Sequence, residues 1–388
     1  MRLLAYTDYI YRREGSAVYA ERAFSLFLER VGRELGGLTV LGRLDPRAGP
    51  AHYRLADDVT FVALPYYAAL VSRSAARALP RALARGWRAL GDVEAAWLLG
   101  PHPFSLGFAV MAWARGRRVV LGVRQNTPAY VRSRHPDRRL LHLAADAIDG
   151  GFRALARVCP VVVVGPEMGR RYAGSRRCLE IAVSLISDED MIDARQFRAR
   201  DYDRELRLLS VGRLEAEKNP LLLADVLAEL RAEDARWRLI VCGEGPLREA
   251  LRARLESLGL GPHADLRGYV PLRPDLLRVY CDSHAFLHVS LTEGVPQVLL
   301  EAFATRVPVV ATAVGGVPEA VAGAALLVPP RDAAATAVAL ARIAADPELR
   351  ERLTSAGAAR VADRTLEVEA RRVARFIAQM PPGRSPRR

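Results

Sequence analysis

Short apolar runs alternate with longer stretches of helical period along almost the whole chain. That alternation predicts repeated β–α units and parallel sheets. In the first half, strands are expected at 2–6, 38–42, 58–64, 94–99, 118–123 and 160–165. Helical patterns fall at 17–35, 67–90, 104–115 and 138–158. The polar stretch SDEDMIDARQFRARDYD at 187–203 reads as a linker. A second cycle follows it. Its strands are expected at 206–211, 237–242, 264–268, 284–289, 307–311 and 325–328. Its helices are expected at 219–233, 246–258, 273–281, 296–305, 332–345 and 347–360. The pattern predicts an N-terminal Rossmann-like domain at 1–186, a linker at 187–204 and a C-terminal Rossmann-like domain at 205–362. A last helix at 363–380 is placed to cross back to the first domain. The Pro-rich, basic end at 381–388 is expected to be disordered. Two doubly wound parallel sheets in tandem put ligands at the carboxyl ends of the strands, in a cleft between them.

The 388 residues, 51% of them hydrophobic, suffice for two cores of ordinary size. No run approaches the roughly 20 apolar residues that span a bilayer. The opening MRLLAYTDY has no secretory pattern and reads as the first strand, so a cytoplasmic protein is expected. Four cysteines lie far apart with no CxxC pair, which points to small buried apolar residues.

Charge is lopsided. Residues 1–200 carry 31 Arg against 19 acidic residues, whereas 201–388 carry 26 basic and 25 acidic residues. The first half is therefore suited to something anionic. Arg is abundant throughout, but Lys occurs once, at Lys218.

Three motifs carry the chemistry. In SVGRLEAEKNP at 210–220, Arg213 and Lys218 follow a strand and precede a helix opened by Pro220. Two cations beside a helix N-terminus suit a diphosphate. In CGEGPLRE at 242–249, Gly243 and Gly245 permit close backbone approach to a ligand. In SLTEGVPQVLLEAFATRVPVVAT at 290–312, Glu293 precedes Gly294 and Val295, whose amides are placed to hold phosphate oxygens. Glu301 lies on the following helix, flanked by Leu299, Leu300, Ala302 and Phe303. Two carboxylates there can accept hydrogen bonds from sugar hydroxyls.

In their order, GRLEAEKNP, GEGP, EGVPQVLLEA, VPVVAT, GGVPEAV and LLVPPRD resemble the retaining glycosyltransferases of family 4. The resemblance covers nearly the whole second half. It implies the GT-B fold: α/β, with two Rossmann-like domains facing across a cleft. It implies retaining transfer of a hexose-type sugar from a nucleotide-diphosphate-sugar to a hydroxyl acceptor, a saccharide, a lipid-linked saccharide or a small molecule. In the family, the residues matching Arg213 and Lys218 bind the donor diphosphate. The one matching Glu293 contacts the transferred sugar, and the one matching Glu301 contacts the ribose. One departure is Arg306, where the family has Gly.

The first half matches less closely. The family's Gly-rich loop after strand one corresponds here only to Gly15. A family His after strand four corresponds to His102 in GPHPFSLGF, placed to hydrogen-bond a sugar hydroxyl or the reacting centre. No Asp-x-Asp ends a strand. Asp188 and Asp190 satisfy that pattern literally but read as solvated linker residues. No metal and no cofactor beyond the donor substrate is expected.

Arg73, Arg77, Arg81, Arg85 and Arg88 recur every three or four residues, and Leu79, Leu83, Trp87 and Leu90 form a second stripe. Pro80 is expected to break or kink this helix. Such a helix can lie on an anionic membrane, giving a peripheral protein at the inner face. Alternatively, it packs its Leu/Trp stripe on the sheet. Two other functions stand beside glycosyl transfer: a GT-B epimerase or phosphorylase, and a basic nucleic-acid binder. No nucleic-acid motif supports the second.

Overall fold

The computed structural model describes residues 1–47, 52–68, 70, 72–193, 195 and 200–380, with backbone alone for 73, 133 and 134. The chain forms two compact units. Met1–Val183 and the segment from Leu366 make the first, and Ser184–Thr365 the second.

In the first unit, the strands are β1 (Leu3–Glu14), β2 (Ala17–Ala20), β3 (Leu38–Leu44), β4 (Tyr53–Arg54), β5 (Thr60–Leu64), β6 (Ala95–Gly100), β7 (Arg118–Val123), β8 (Val161–Val164) and β9 (Cys178–Ile181). β5, β3, β1, β6, β7, β8 and β9 run parallel in that order. Alternate residues of β1 feed two cores. Leu3 and Ala5 join Phe24, Phe27 and Val31 of helix α1 (Phe24–Leu35). Leu4 and Tyr6 join Ala75, Ala78 and Ala82 of α2 (Arg73–Ala89) and Phe104 and Phe108 of α3 (Pro103–Ala114). A sheet buried on both faces explains the continuous apolar strands. The unit also holds α4 (Thr127–Arg134), α5 (Arg139–Ala156) and α6 (Gly165–Arg171).

The second unit has six parallel strands: β10 (Leu206–Val211), β11 (Trp237–Cys242), β12 (Ala264–Gly268), β13 (Ala285–His288), β14 (Val309–Thr312) and β15 (Ala325–Val328). Their order is β12-β11-β10-β13-β14-β15, the Rossmann order with its switch point between β10 and β13. Its helices are α7 (Leu222–Glu233), α8 (Arg248–Ser257), α9 (Leu277–Cys281), α10 (Gln297–Ala304), α11 (Val317–Val321), α12 (Ala333–Ala345) and α13 (Pro347–Ala362). The last helix, α14 (Leu366–Ala378), returns to the first unit. Its Ala370, Val373 and Ile377 share a core with α1.

Several elements differ from expectation. Ala17–Ala20 is a strand, not the start of a helix, because Gly15 at φ +58° turns the chain into an antiparallel hairpin with β1. α2 starts at 73, where Ser72 caps Ala75 N–H at 3.1 Å. It runs unbroken through Pro80. Pro80 and Ala76 lie on the exposed face, so the hydrogen bond that proline cannot donate is lost on the side turned to solvent. α4, α6 and β9 had no counterpart in the pattern. Asp190 is not a solvated linker residue: Ser187 and Arg273 hold its carboxylate, Arg273 Nε at 2.9 Å. Burial opposes its ionisation, but Arg273 and Ser187 bring its pKa below the usual value. Positions 194 and 196–199 of the expected linker and the tail 381–388 lie outside the described residues.

Candidate active site

In the second unit, the loop after β10 is locked by backbone contacts. Leu214 N–H donates to Glu244 O at 2.8 Å, and Gly212 N–H to Cys242 O at 3.0 Å. Gly243, at φ +145°, packs so closely that a Cβ would lie 1.8 Å from Gly212 O. One at Gly245 would lie 2.5 Å from Leu214 O. These glycines, expected to approach a ligand, thus bring two loops of the protein together. Leu291 N–H then donates to Glu217 O at 2.8 Å, tying the turn before Lys218 to the loop after β13.

That tie joins Lys218 to Glu293. Lys218 Nζ bonds Glu293 Oε1, as do His288 Nε2 at 3.1 Å and Ser290 Oγ at 2.9 Å. Burial disfavours the Glu293 carboxylate, but His288 and Lys218 outweigh it and bring its pKa to about 2. His288 carries no motif signal in the sequence. Its Nδ1 is buried without a partner. Arg213 is drawn elsewhere: its guanidinium meets Glu215 at 2.5 Å and Glu217 at 3.4 Å, with the side chain half exposed.

Gly294 and Val295 lead into α10, whose first turn has no side-chain cap. The Gly315–Gly316 turn packs under them, with Gly316 N–H donating to Glu293 O at 3.0 Å. Glu301 is buried in α10 and accepts a 2.9 Å hydrogen bond from Tyr280 Oη. Burial raises its pKa to about 7 against that bond. Arg306 adopts φ +48°, a conformation open to Gly without strain.

In the first unit, His102 caps α3 and is buried. Tyr6 Oη donates to its Nδ1 at 2.9 Å, and Phe104 N–H reaches the same atom at 3.2 Å. Its Nε2 faces Asp8 Oδ1 at 3.1 Å and Tyr67 Oη at 3.2 Å. Both ring nitrogens are thus engaged within the protein, and His102 has no atom left to meet a hydroxyl directly. The exposed group of the cluster is Asp8, with 39% of its side chain accessible. Burial opposes its ionisation, but the bond and charge of His102 and the charge of Arg43 bring its pKa below the usual value. Gly15 lies at the hairpin tip, nine residues beyond Tyr6, or up to ~30 Å along the strand. It makes the turn and does not join this cluster.

On α2, the buried face is Ala75, Ala78, Ala82 and Gly86, whose missing Cβ admits Phe108. Arg77, Arg81, Arg85 and Arg88 are exposed, and so are Leu79 and Trp87. The Arg73 side chain lies outside the described residues. Trp113 and Val110 on α3 and Leu140 and Leu143 on α5 are exposed as well.

Residues 192–360 match the family described as Glycosyl transferases group 1. This segment belongs to the group 1 glycosyl transferases. The domain contains Arg213, Lys218, His288, Glu293 and Glu301. A D-inositol 3-phosphate glycosyltransferase of Corynebacterium efficiens is 37% identical over 37% of this chain and 35% of its own. WcaL of Salmonella typhimurium, named for colanic acid biosynthesis, is 34% identical over 35% of each. The chain thus spans about a third of the length of these curated relatives. Solved structures cover nearly all of it. Sucrose-phosphate synthase from Thermosynechococcus elongatus has a TM-score of 0.68 at 20% identity, over 98% of this chain and 99% of its own. Anabaena HepE in complex with UDP has 0.71 at 14%, over 98% and 100%. Such likenesses show the fold, and the group 1 glycosyl transferase domain and its partner unit have the GT-B architecture.

Proposed function

We propose that the chain transfers a hexose-type sugar from a nucleoside-diphosphate sugar to a hydroxyl, with retention and without a metal. The carrying observation is the partly buried contact of the only lysine, Lys218, with Glu293 at the carboxyl ends of β10 and β13. A lysine held there supplies a fixed positive charge to a leaving diphosphate. The uncapped first turn of α10, entered through Gly294 and Val295, adds amides for the same phosphates. In this reading Arg213 leaves Glu215 and Glu217 for the diphosphate. Glu293 takes hydroxyls of the transferred sugar and Glu301 those of the ribose. The anomeric C–O bond to phosphate breaks, and the acceptor oxygen bonds the same face. The acceptor proton passes to the departing phosphate.

On the first unit, Asp8 meets the acceptor hydroxyl and His102 holds Asp8. The acceptor is a saccharide or lipid-linked saccharide. The exposed Arg row of α2, with Trp87 and Leu79 beside it, brings the protein to the inner face of an anionic membrane. Among the described residues no helix is long and apolar enough to cross one. A neighbour of this fold, Anabaena HepE, is described in complex with UDP and glucose, which makes UDP-sugars the first donors to try. The test is a thermal-shift panel of UDP-, GDP- and ADP-sugars, followed by mass-spectrometric detection of transfer. A donor at 100 times its dissociation constant stabilises by ~2.7 kcal/mol. No shift with any of them refutes the reading. Sugar isomerisation with donor alone would indicate an epimerase instead.

A further inference from the structure

Arg124 follows β7 directly, at the carboxyl edge of the first unit's sheet. Its guanidinium carbon lies 4.4 Å from the centre of the Phe24 ring and 5.5 Å from that of Tyr9. Among the described residues no carboxylate pairs with it, and its Nε is buried without a partner. The Tyr9 hydroxyl is likewise buried and unpartnered. Burial, with no opposing charge, brings the Arg124 pKa down to about 10.

Buried N–H and O–H groups in proteins are almost always hydrogen-bonded. Stacking on Phe24 satisfies the face of the guanidinium but leaves its buried Nε–H unfilled. Two buried donors without acceptors, the Arg124 Nε–H and the hydroxyl of the Tyr9 ring that the guanidinium lies over, mark a place for an acceptor from outside. A planar fork beside a hydroxyl suits an oxyanion with several oxygens. The position also fits, since parallel sheets bind ligands at the carboxyl ends of their strands. Asp8, next to Tyr9 in sequence, lies in the part of β1 that leads to the same edge.

We infer that Tyr9 and Arg124 form a phosphate-binding subsite, and that its ligand is a phosphate ester carried by the acceptor. The subsite stands on these two residues alone. Its assignment to the acceptor rests on the glycosyl-transfer reading.

The experiment is calorimetric titration of the full chain with phenyl phosphate, inorganic phosphate and UDP. It uses the parent protein and Arg124→Gln, Tyr9→Phe and Lys218→Ala variants. Phenyl phosphate should bind the parent more tightly than inorganic phosphate does. Arg124→Gln should weaken it at least 10-fold and Tyr9→Phe several-fold, with Lys218→Ala unchanged. UDP affinity should fall only in Lys218→Ala. Melting curves check folding. Tyr9→Phe removes a single unpartnered oxygen, so it keeps the test valid if Arg124→Gln does not fold. Equal phenyl phosphate affinity in the parent and Tyr9→Phe overturns the subsite. Tighter binding of inorganic phosphate overturns the ester assignment. Parallel loss of UDP and phenyl phosphate in Arg124→Gln makes the anion the donor's own and overturns the proposal. UDP binding that ignores Lys218 sinks the donor reading while leaving the subsite standing.

Discussion

Lys218 and Glu293 lie 75 residues apart, yet Lys218 Nζ, His288 Nε2 and Ser290 Oγ all converge on Glu293 Oε1. One carboxylate oxygen is therefore fully engaged by the protein. The contact exists because the turn before Lys218 is pinned to the loop after β13 through Leu291 and Glu217.

Lys218→Ala should weaken donor use by roughly 10- to 150-fold, the worth of one charge-assisted contact of ~1.5–3 kcal/mol. Arg213→Ala should cost less, because its guanidinium must first leave Glu215 and Glu217. Steady-state rates with saturating acceptor check this. Unchanged rates in both variants would remove the donor assignment.

Glu293 should make the fold acid-sensitive. Its pKa falls from 4.5 to about 2 on folding, worth about 3 kcal/mol. A depressed carboxyl stabilises fully above its unfolded pKa, and that stability disappears as pH falls from ~4.5 through ~2. His288→Ala should raise the Glu293 pKa and move the acid limb of kcat/KM upward. An acid limb identical to the parent's would show that His288 does not act on Glu293.

Glu301 has the opposite sign. Its folded pKa is about 7, above the 4.5 expected unfolded. The folded state therefore holds its proton longer, and the parent loses about 3 kcal/mol as pH rises from ~4.5 through ~7. Glu301→Gln cannot ionise. It should match the parent near pH 5, exceed it in melting temperature near pH 8, and bind nucleotide more weakly. A variant with unchanged nucleotide affinity and a large loss of melting temperature would make Glu301 structural.

The parts of this architecture that were legible have a local signature. The strands of the second unit follow from apolar runs separated by helices of ordinary length. Lys218 and Glu293 stand in motifs. Other features depend on contacts distant in sequence. His288 ends a buried strand and looks like any core residue until Glu293 folds back on it. Asp8 sits in LLAYTDY, which reads as plain strand, and its role appears only when His102 and Tyr67 close around it. AVYA at 17–20 is too short for periodicity to separate strand from helix, and Gly15 decides the matter through its φ. The Leu/Trp stripe of α2 was ambiguous because small residues, Ala75, Ala78, Ala82 and Gly86, take the buried side instead.

Activity should survive EDTA. Lys218 and the uncapped turn of α10 supply the positive potential that a metal would otherwise bring to a diphosphate. Abolition by EDTA with rescue by Mg²⁺ or Mn²⁺ would overturn the metal-free reading.

The membrane role makes a prediction that separates charge from apolar contact. Arg77, Arg81, Arg85 and Arg88 are exposed on α2, and each basic residue near an anionic surface is worth about 1 kcal/mol. Trp87 is 41% exposed, with Arg115 stacked on its ring at 4.3 Å, so an aromatic face stands beside the charges. The parent should sediment with anionic vesicles at low salt and much less with neutral ones. Replacing Arg77, Arg81 and Arg85 by Glu should abolish this. Trp87→Ala should leave the salt-sensitive capture but lower the fraction that stays bound in high salt. The reason is range: the Debye length shortens from ~10 Å at 0.1 M to ~3 Å at 1 M, which removes steering by Arg before it removes apolar insertion. Equal sedimentation of the triple variant and the parent on anionic vesicles would eliminate α2 as the docking surface. Such a result would leave the donor chemistry of the second unit untouched, because none of these residues belongs to it.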